Sequence, residues 1–401
     1  MSDAEMMFPI LREADSSPPK VYDELRRLAP IRQVTLWDGS QAWLATRHQD
    51  VVAILSDNHF GVDPKAKGYP FISPAMKELL LGETETFVSM DPPLHSRYRK
   101  MLTRYFTLKA AETQRERVQA IADDLIDRMV AAGPVVDFLE AFAFPVPSLV
   151  ITDLLGVPYE DHEFFQRCAH ARLDMSGDAR GPIEAGKEIE RYLRGLVHAR
   201  EASPGDGADL ITRLVVEQVR PGHATLEEVI AIARLMLVAG HDSTASMIGM
   251  GALALMRNPT EFAKLIADRS LVPNAVEEML RYTTIAQFHA LRVAYEDVAV
   301  GDVTIRKGEG VIASILAANH DSDVFECPQA FNIDRQADKH LAFAWGIHHC
   351  IGQALARLEL NVVFETLARR LPTLRLAVPE RELTFKFGSR AFGLTALPVT
   401  W

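Results

Sequence analysis

Apolar residues recur at helical spacing without a break from Thr225 to Asn258, the dominant pattern in the chain. The run opens on Thr225-Leu-Glu-Glu228, a capping box in which the Thr and Glu side chains take up free N–H groups of the first turn, and it closes on Asn258-Pro259. The spacing predicts one helix of some 32 residues, about 48 Å long at 1.5 Å per residue, enough to cross a whole domain. Shorter helical runs are predicted over 20–30, 49–56, 91–107, 108–132 and 158–200, over NAVEEMLRY before Thr283, and over GQALARLELNVVFETLARRL from Gly352. Gly177, Gly181 and Pro182 split the region 158–200 into two helices and a loop, and FAFPVPSLVITDLLGVP lies between the helical runs on either side.

Period-two alternation is confined to short pieces. VTLWDGSQAWLAT alternates around Asp38-Gly39, a strong hairpin signal; residues 284–321 give short strands with Gly turns; LTFKFGSRAFGLTALPVTW predicts a further hairpin. Residues 58–90 are rich in Gly, Pro and turn formers and read as loop. The fold class is therefore mainly α with small β-sheets. With no Ser/Gly linker, charge block, low-complexity tract or repeat to divide it, 1–401 reads as a single domain.

Composition narrows the partners. A net charge of -11 argues against nucleic acid, whose binders carry a basic footprint. Cys168, Cys327 and Cys350 are odd in number and far apart, so a reducing compartment fits better than a disulfide framework. The start of the chain lacks the basic and apolar regions of a signal peptide, and the most apolar stretch, Leu235 to Met256, carries His241, Asp242, Ser243, Thr244 and Ser246. The expectation is a cytoplasmic protein, monomeric and independent of membranes.

The chemistry concentrates in FAWGIHHCIG, residues 343–352. Cys350 stands where a glycine-punctuated loop gives way to a helix, and the free N–H groups of a helix start favour a thiolate. Three readings compete for this stretch: a metal-ligating thiolate, a core cysteine, and a zinc site. Zinc calls for about four ligands at recognisable spacing, and no CxxC or HxxxH pair accompanies the cluster.

The pattern Phe343, Gly346, His348, Cys350, Gly352 resembles the haem-binding loop of the cytochrome P-450 family, in which the cysteine thiolate ligates haem iron. Ala344 and Trp345 depart from it, standing where the family often has Gly and a variable residue. Other motifs are similar to the family's in the same order. His95 and Arg99, four apart on one helical face, match the helix that holds a haem propionate, and Arg292 matches the arginine reaching the second; His348 joins them. Ala239-Gly240-His241-Asp242-Ser243-Thr244 resembles the oxygen-activating segment of the long central helix, with the acid at Asp242 and the alcohol at Thr244, whose hydroxyl is expected to bond back to the Gly240 carbonyl. Glu278 and Arg281 match the family's Glu-x-x-Arg pair, with Arg335 as the third member of a structural clamp; His320 stands where the family often has Arg.

The resemblance covers nearly the whole chain and implies the cytochrome P-450 fold, with its long central helix over the haem. It implies haem b (iron protoporphyrin IX), dioxygen and a hydrophobic small molecule, a secondary metabolite or xenobiotic, that receives one oxygen atom. The nearest likeness is to soluble actinomycete-type members. No dinucleotide fingerprint or flavin module is present, so electrons are expected from a separate ferredoxin and its NAD(P)H-dependent reductase, docking on Arg97, Lys100, Arg104 and Arg357. Phe71, Phe87, Val88, Leu235, Ile285, Phe288 and Phe392 are expected to line the pocket, with Ala286 and His289 nearby. The alternatives are a fungal-type nitric-oxide reductase using NADH directly, a P-450-type oxidative coupling enzyme, and a non-catalytic haem gas sensor or carrier. Asp242 and Ser243 count against the reductase.

Overall fold

The capping box forms. In the computed structural model, which describes residues 6–82, 84–173, 180–205 and 207–401, Thr225 Oγ1 accepts from Glu228 N at 3.2 Å and Glu228 Oε2 accepts from Thr225 N at 2.7 Å. The helix runs unbroken over Leu226–Arg257, 32 residues, and Asn258 ends it ahead of Pro259. Apart from a short accessible stretch at its centre, its second half is buried all round. A helix apolar on every side needs neighbours on every side. Pro145–Leu155, Val272–Thr283, Gln353–Arg370 and Arg180–Ala202 supply them. Leu253, Ile248, Phe364, Leu367 and Val276 meet there with no exposed surface. Each such side chain contributes about 1.5–3 kcal/mol against staying in water.

The predicted hairpin joins Ile31–Thr35 to Gln41–Ala45, with Ile31 opposite Ala45 and Thr35 opposite Gln41. Gly39 turns it with φ +82°, a conformation that Asp38-Gly39 suits. Gly310–Ala313 lies parallel to the second strand, Leu291–Ala294 follows antiparallel, and Phe60–Gly61 completes a five-stranded sheet. The sheet packs beside His48–Ser56. The architecture is the α-rich one expected, with small sheets at its edge.

Several local expectations change. Residues 58–90 are not all loop, because Pro74–Gly82 is a helix that buries Met76 and Leu79. Its start at Pro74 is compatible with a helix because a first-turn N–H has no partner to lose. Pro145–Leu155, unassigned from the sequence, is a buried helix ended by Gly156 in the left-handed region at φ +75°. The region 158–200 forms two helices, His162–Leu173 and Arg180–Ala202. Gly181 and Pro182 lie in the first turn of the second rather than in a break, and Gly177 falls outside the described residues. The tail hairpin is reduced to a bridge between Phe385 and Leu394, while Pro398–Thr400 pairs with Arg375–Leu376 and Val136–Asp137. No helix among the described residues is long and apolar enough to cross a membrane.

Candidate active site

The loop before Cys350 is shaped by its backbone. Cys350 N donates to Phe343 O at 2.9 Å and Ala344 N to Leu341 O at 2.8 Å. Gly346 has φ +71°, and a Cβ there would stand 2.1 Å from the Leu55 carbonyl oxygen, so only glycine fits. Ala344 also lies in the left-handed region, at φ +58°, which explains why glycine is favoured at that position. An alanine holds the same conformation at a cost of about 1–2 kcal/mol. Trp345 keeps an extended backbone and leaves its ring 44% exposed.

Cys350 has accessible surface, yet it lies deep enough that burial dominates its acidity and pushes the thiol up. A side chain both accessible and deep faces an interior cleft. The N–H groups of Gly352 and Gln353, with the charges of Arg99 and Arg357, pull the thiol back towards its anion. Arg357 is itself fixed. It donates to both Glu277 oxygens at 2.6 and 2.9 Å and lies 4.5 Å from the Phe343 ring centre, while His340 Nε2 meets Glu277 at 3.0 Å. Burial alone would raise the Glu277 carboxyl, but the bonds from His340 and Arg357 outweigh it and hold the group down at about 2. Sequence reasoning missed Glu277 and His340, since no spacing rule links residues so far apart.

Four basic groups from three segments converge across the cleft: His95 and Arg99 on the helix Leu94–Leu102, Arg292 on the strand Leu291–Ala294, and His348 on the cysteine loop. The His95 and His348 rings are 4.3 Å apart, and Arg292 and Arg99 lie within electrostatic reach of His348. Burial, then these cations, drive His348 down to about 3. Both His95 nitrogens and His348 Nε2 are buried with no hydrogen-bond partner. Arg292, almost fully buried, bonds the Leu291 carbonyl at 2.9 Å, and burial lowers it to about 10. Neither Arg99 nor Arg292 forms a salt bridge with a carboxylate among the described residues. Buried cations and orphaned imidazoles around one cleft call for anionic oxygens from outside the chain. With a thiol opposite, the donor set fits a haem: one sulfur for the iron, and a basic cluster for two propionates.

Behind the cysteine loop, Glu278, Arg281 and Arg335 meet. Arg281 donates to Glu278 through Nε at 2.7 Å and Nη2 at 2.8 Å, both residues having no exposed surface. Arg335 Nε reaches Glu278 Oε1 at 3.2 Å, and Arg281 Nη1 also holds the carbonyls of Asn319 and Pro328. His320 is buried beside Tyr282 with Nδ1 3.0 Å from the Leu316 carbonyl oxygen; burial, then Arg281, lowers it far below its ordinary value, so it is neutral.

At the centre of the long helix the accessible positions are Leu235, Val238, Ala239, Gly240 and Ser243, and of these Leu235, Ala239 and Ser243 lie one turn apart along one stripe. Ser243 Oγ donates to the Ala239 carbonyl at 2.7 Å. Thr244, expected to carry the cleft hydroxyl and to bond Gly240, is 5% exposed, and the bond that forms runs one residue earlier, from Ser243 to Ala239. One residue turns a helix by about 100°, which takes Thr244 off the stripe. The cleft hydroxyl is therefore Ser243. Asp242 is buried beside it, and Gly240 gives room to Ile151, whose side chain would meet a Cβ at 3.2 Å.

Three pocket assignments are corrected. Phe288 is 3% exposed and packs edge-on against Phe8 at 5.8 Å, and Phe392, fully buried, stacks on Phe385 at 5.6 Å beneath the Arg12 guanidinium. Both are core. Phe87 is also buried, against His95 at 6.2 Å; Phe71, Leu235 and Ile285 keep partial exposure, and Val88 is exposed. The expected basic dock changes too. Arg97 pairs with Glu228 at 2.6 Å, Arg104 with Glu217 and Arg357 with Glu277, which leaves Lys100 outside any ion pair among the described residues.

Comparison with known proteins agrees with this geometry. The family model for Cytochrome P450 matches residues 161–394. The chain belongs to the cytochrome P450 family. This P450 is 44% identical to Cytochrome P450-SU2 of Streptomyces griseolus over 96% of this chain and 94% of that one. It is 43% identical to the Vitamin D3 dihydroxylase of the same organism, over 98% and 96%. The crystal structure of the mycinamicin VIII C21 methyl hydroxylase MycCI from Micromonospora griseorubida superposes with a TM-score of 0.93 at 38% identity, covering 99% of this chain and all of that one. This P450 is thus an actinomycete-type haem monooxygenase, an enzyme that draws on dioxygen, redox partners and hydrophobic substrates.

Proposed function

We propose that the chain, as one haem domain of a monomeric cytoplasmic enzyme, hydroxylates a hydrophobic secondary metabolite or xenobiotic with electrons from a separate ferredoxin and its NAD(P)H-dependent reductase. The observation that carries the reading is the pairing of a deep, accessible Cys350 with four basic groups across one cleft. Relatives named for hydroxylating vitamin D3 and a mycinamicin support the substrate class.

Bound haem supplies the redox centre at which dioxygen is reduced and cleaved, and thiolate ligation favours that cleavage. The roles of the chain's own residues follow from their places. Cys350 holds the iron, with the Gly352 and Gln353 N–H groups tempering the charge on sulfur. Arg99, His95, Arg292 and His348 hold the propionates. Ser243 Oγ, anchored on the Ala239 carbonyl, carries a proton into the cleft, and the buried Asp242 replenishes it while the apolar helix excludes bulk water. The Glu278, Arg281 and Arg335 cluster and the Glu277–Arg357 pair keep the cysteine loop in register.

The electron donor docks on the cysteine side, at Trp345, Ile347 and Lys100, where apolar side chains are exposed and a free ammonium remains. Because three of the four expected basic residues are compensated, docking is less sensitive to salt than a basic patch would make it. The decisive experiment is the spectrum of the reduced protein with carbon monoxide. A long-wavelength band sets thiolate ligation in place, and its absence from wild type would remove the reading.

A further inference from the structure

Two positive charges come within electrostatic reach of the Cys350 sulfur, Arg99 and Arg357. They differ in what balances them. Arg99 faces the cleft and has no carboxylate partner among the described residues, so its counter-charge arrives with the cofactor. Arg357, on the helix Gln353–Arg370, is balanced by the chain itself. Its Nε and Nη2 donate to the two oxygens of Glu277, on the helix Val272–Thr283, at 2.6 and 2.9 Å, and its Nη1 bonds the side-chain oxygen of Gln353. Every nitrogen of the fork is engaged. The guanidinium is thereby laid 4.5 Å from the centre of the Phe343 ring, and the Phe343 carbonyl accepts the Cys350 N–H at 2.9 Å.

His340 fixes the charge of this cluster. The side chain, 2% exposed, accepts the Ala342 N–H on Nδ1 at 3.1 Å, so its proton sits on Nε2, 3.0 Å from Glu277 Oε2. It is a neutral donor. Burial would raise the Glu277 carboxyl, but the bonds from His340 and Arg357 keep it ionised at neutral pH. The cluster therefore holds one guanidinium and one carboxylate, which cancel.

Support of a loop needs a firm contact, and apolar packing or a neutral hydrogen bond supplies one without desolvating two charges. What only a charged pair supplies is a field that can be set to zero. Reduction adds one negative charge to a centre whose sulfur is already anionic, so a cation nearby favours the reduced state and an anion beside that cation opposes it. We propose that Glu277 sets the reduction potential of the haem iron, by cancelling the Arg357 charge next to the sulfur while it fixes the guanidinium over Phe343. This rests on the haem-thiolate reading above and adds a tuning device on the cysteine side. Glu277 and His340 are positioning residues, since both act through Arg357.

The test is a redox titration of haem-loaded protein without substrate, followed by the haem band. Glu277→Gln leaves the Arg357 charge bare and favours reduction about tenfold or more, a rise of about 59 mV for one electron. Arg357→Gln disfavours it by a similar factor. With both changes the two charges go together, and the equilibrium returns to within about threefold of wild type. Glu277→Asp and Arg357→Lys keep their charges and stay within the same range, although each spoils the two-bond fork. Single variants that do not move or that move in one direction overturn the proposal. So does a double variant displaced further than either single, or a charge-keeping variant that shifts as far as its neutral counterpart, because a loop that merely sags does not follow the sign of the charge. Where Glu277→Gln does not retain haem, Arg357→Gln against Arg357→Lys decides: a lowered potential in the first alone supports the proposal, and equal potentials overturn it. A wild type whose reduced carbon-monoxide complex lacks the long-wavelength band fails at the haem-thiolate reading instead, and that failure is seen before any variant is made.

Discussion

Removing the Glu277 carboxylate tests the support of the cysteine loop quantitatively. In Glu277→Gln the two bonds from Arg357 and the contact from His340 lose their charged acceptor, and the cation over Phe343 loses its fixed orientation. Glu277 is held at about 2 against an ordinary 4.5, and its side chain is only 21% exposed, so solvent screens the pair weakly. That difference corresponds to about 3 kcal/mol of stability at neutral pH. The sign is set by a depressed carboxylate. Its contribution is complete above the unfolded value of 4.5 and is lost as pH falls from there towards 2. Urea unfolding of the haem-loaded protein, followed by tryptophan fluorescence and by the haem band, should give a wild-type advantage of about 3 kcal/mol at pH 7. The advantage should begin to narrow below pH 4.5 and shrink to about 1 kcal/mol near pH 3. An advantage under about 1 kcal/mol at pH 7 would refute the reasoning, since that is the range of an exposed surface pair. So would a gap that stays constant as the solution is acidified.

The other expectations concern ligation, coupling and docking. Ser243→Ala should divert most of the electrons consumed into hydrogen peroxide while leaving substrate affinity near wild type, whereas Thr244→Val, off the cleft, should keep product per electron within about twofold. Equal uncoupling in both variants would contradict the placement of the hydroxyl. Cys350→Ser should abolish the long-wavelength carbon-monoxide band of the reduced protein even where some haem is retained. Glu278→Ala strands the Arg281 charge with no exposed surface and should cost about 3–5 kcal/mol in the same urea assay. Trp345→Glu should raise the KM for ferredoxin several-fold with kcat at saturating donor little changed, and a KM unaffected by the charge would move the dock elsewhere.

What the sequence disclosed was what local chemistry controls. The capping box, the long apolar run and the Asp38-Gly39 turn each carry their instruction within a few residues, and each appears where the pattern put it. Cys350 and its glycines were legible for the same reason. Elements decided by distant packing were not. Pro74–Gly82 lies among turn formers and is a helix because Met76 and Leu79 find a core to enter. Phe288 and Phe392 neighbour the cleft in sequence but turn towards Phe8 and Phe385. Thr244 was favoured over Ser243 because a sequence does not show which side of a helix faces the space. The ion pairs that consume Arg97, Arg104 and Arg357 join residues about 80–130 positions apart, and no periodicity announces them.

The contact between Gly346 and the Leu55 carbonyl has a consequence for how the protein is made. The loop that presents the sulfur leans on the helix His48–Ser56, while the loop itself and the helix behind it leave the ribosome about 290 residues later. A nascent chain has the seat long before the piece that fills it. Capture of the cofactor therefore waits for both parts, and a chain cut before residue 350 has the seat but no sulfur to place against iron.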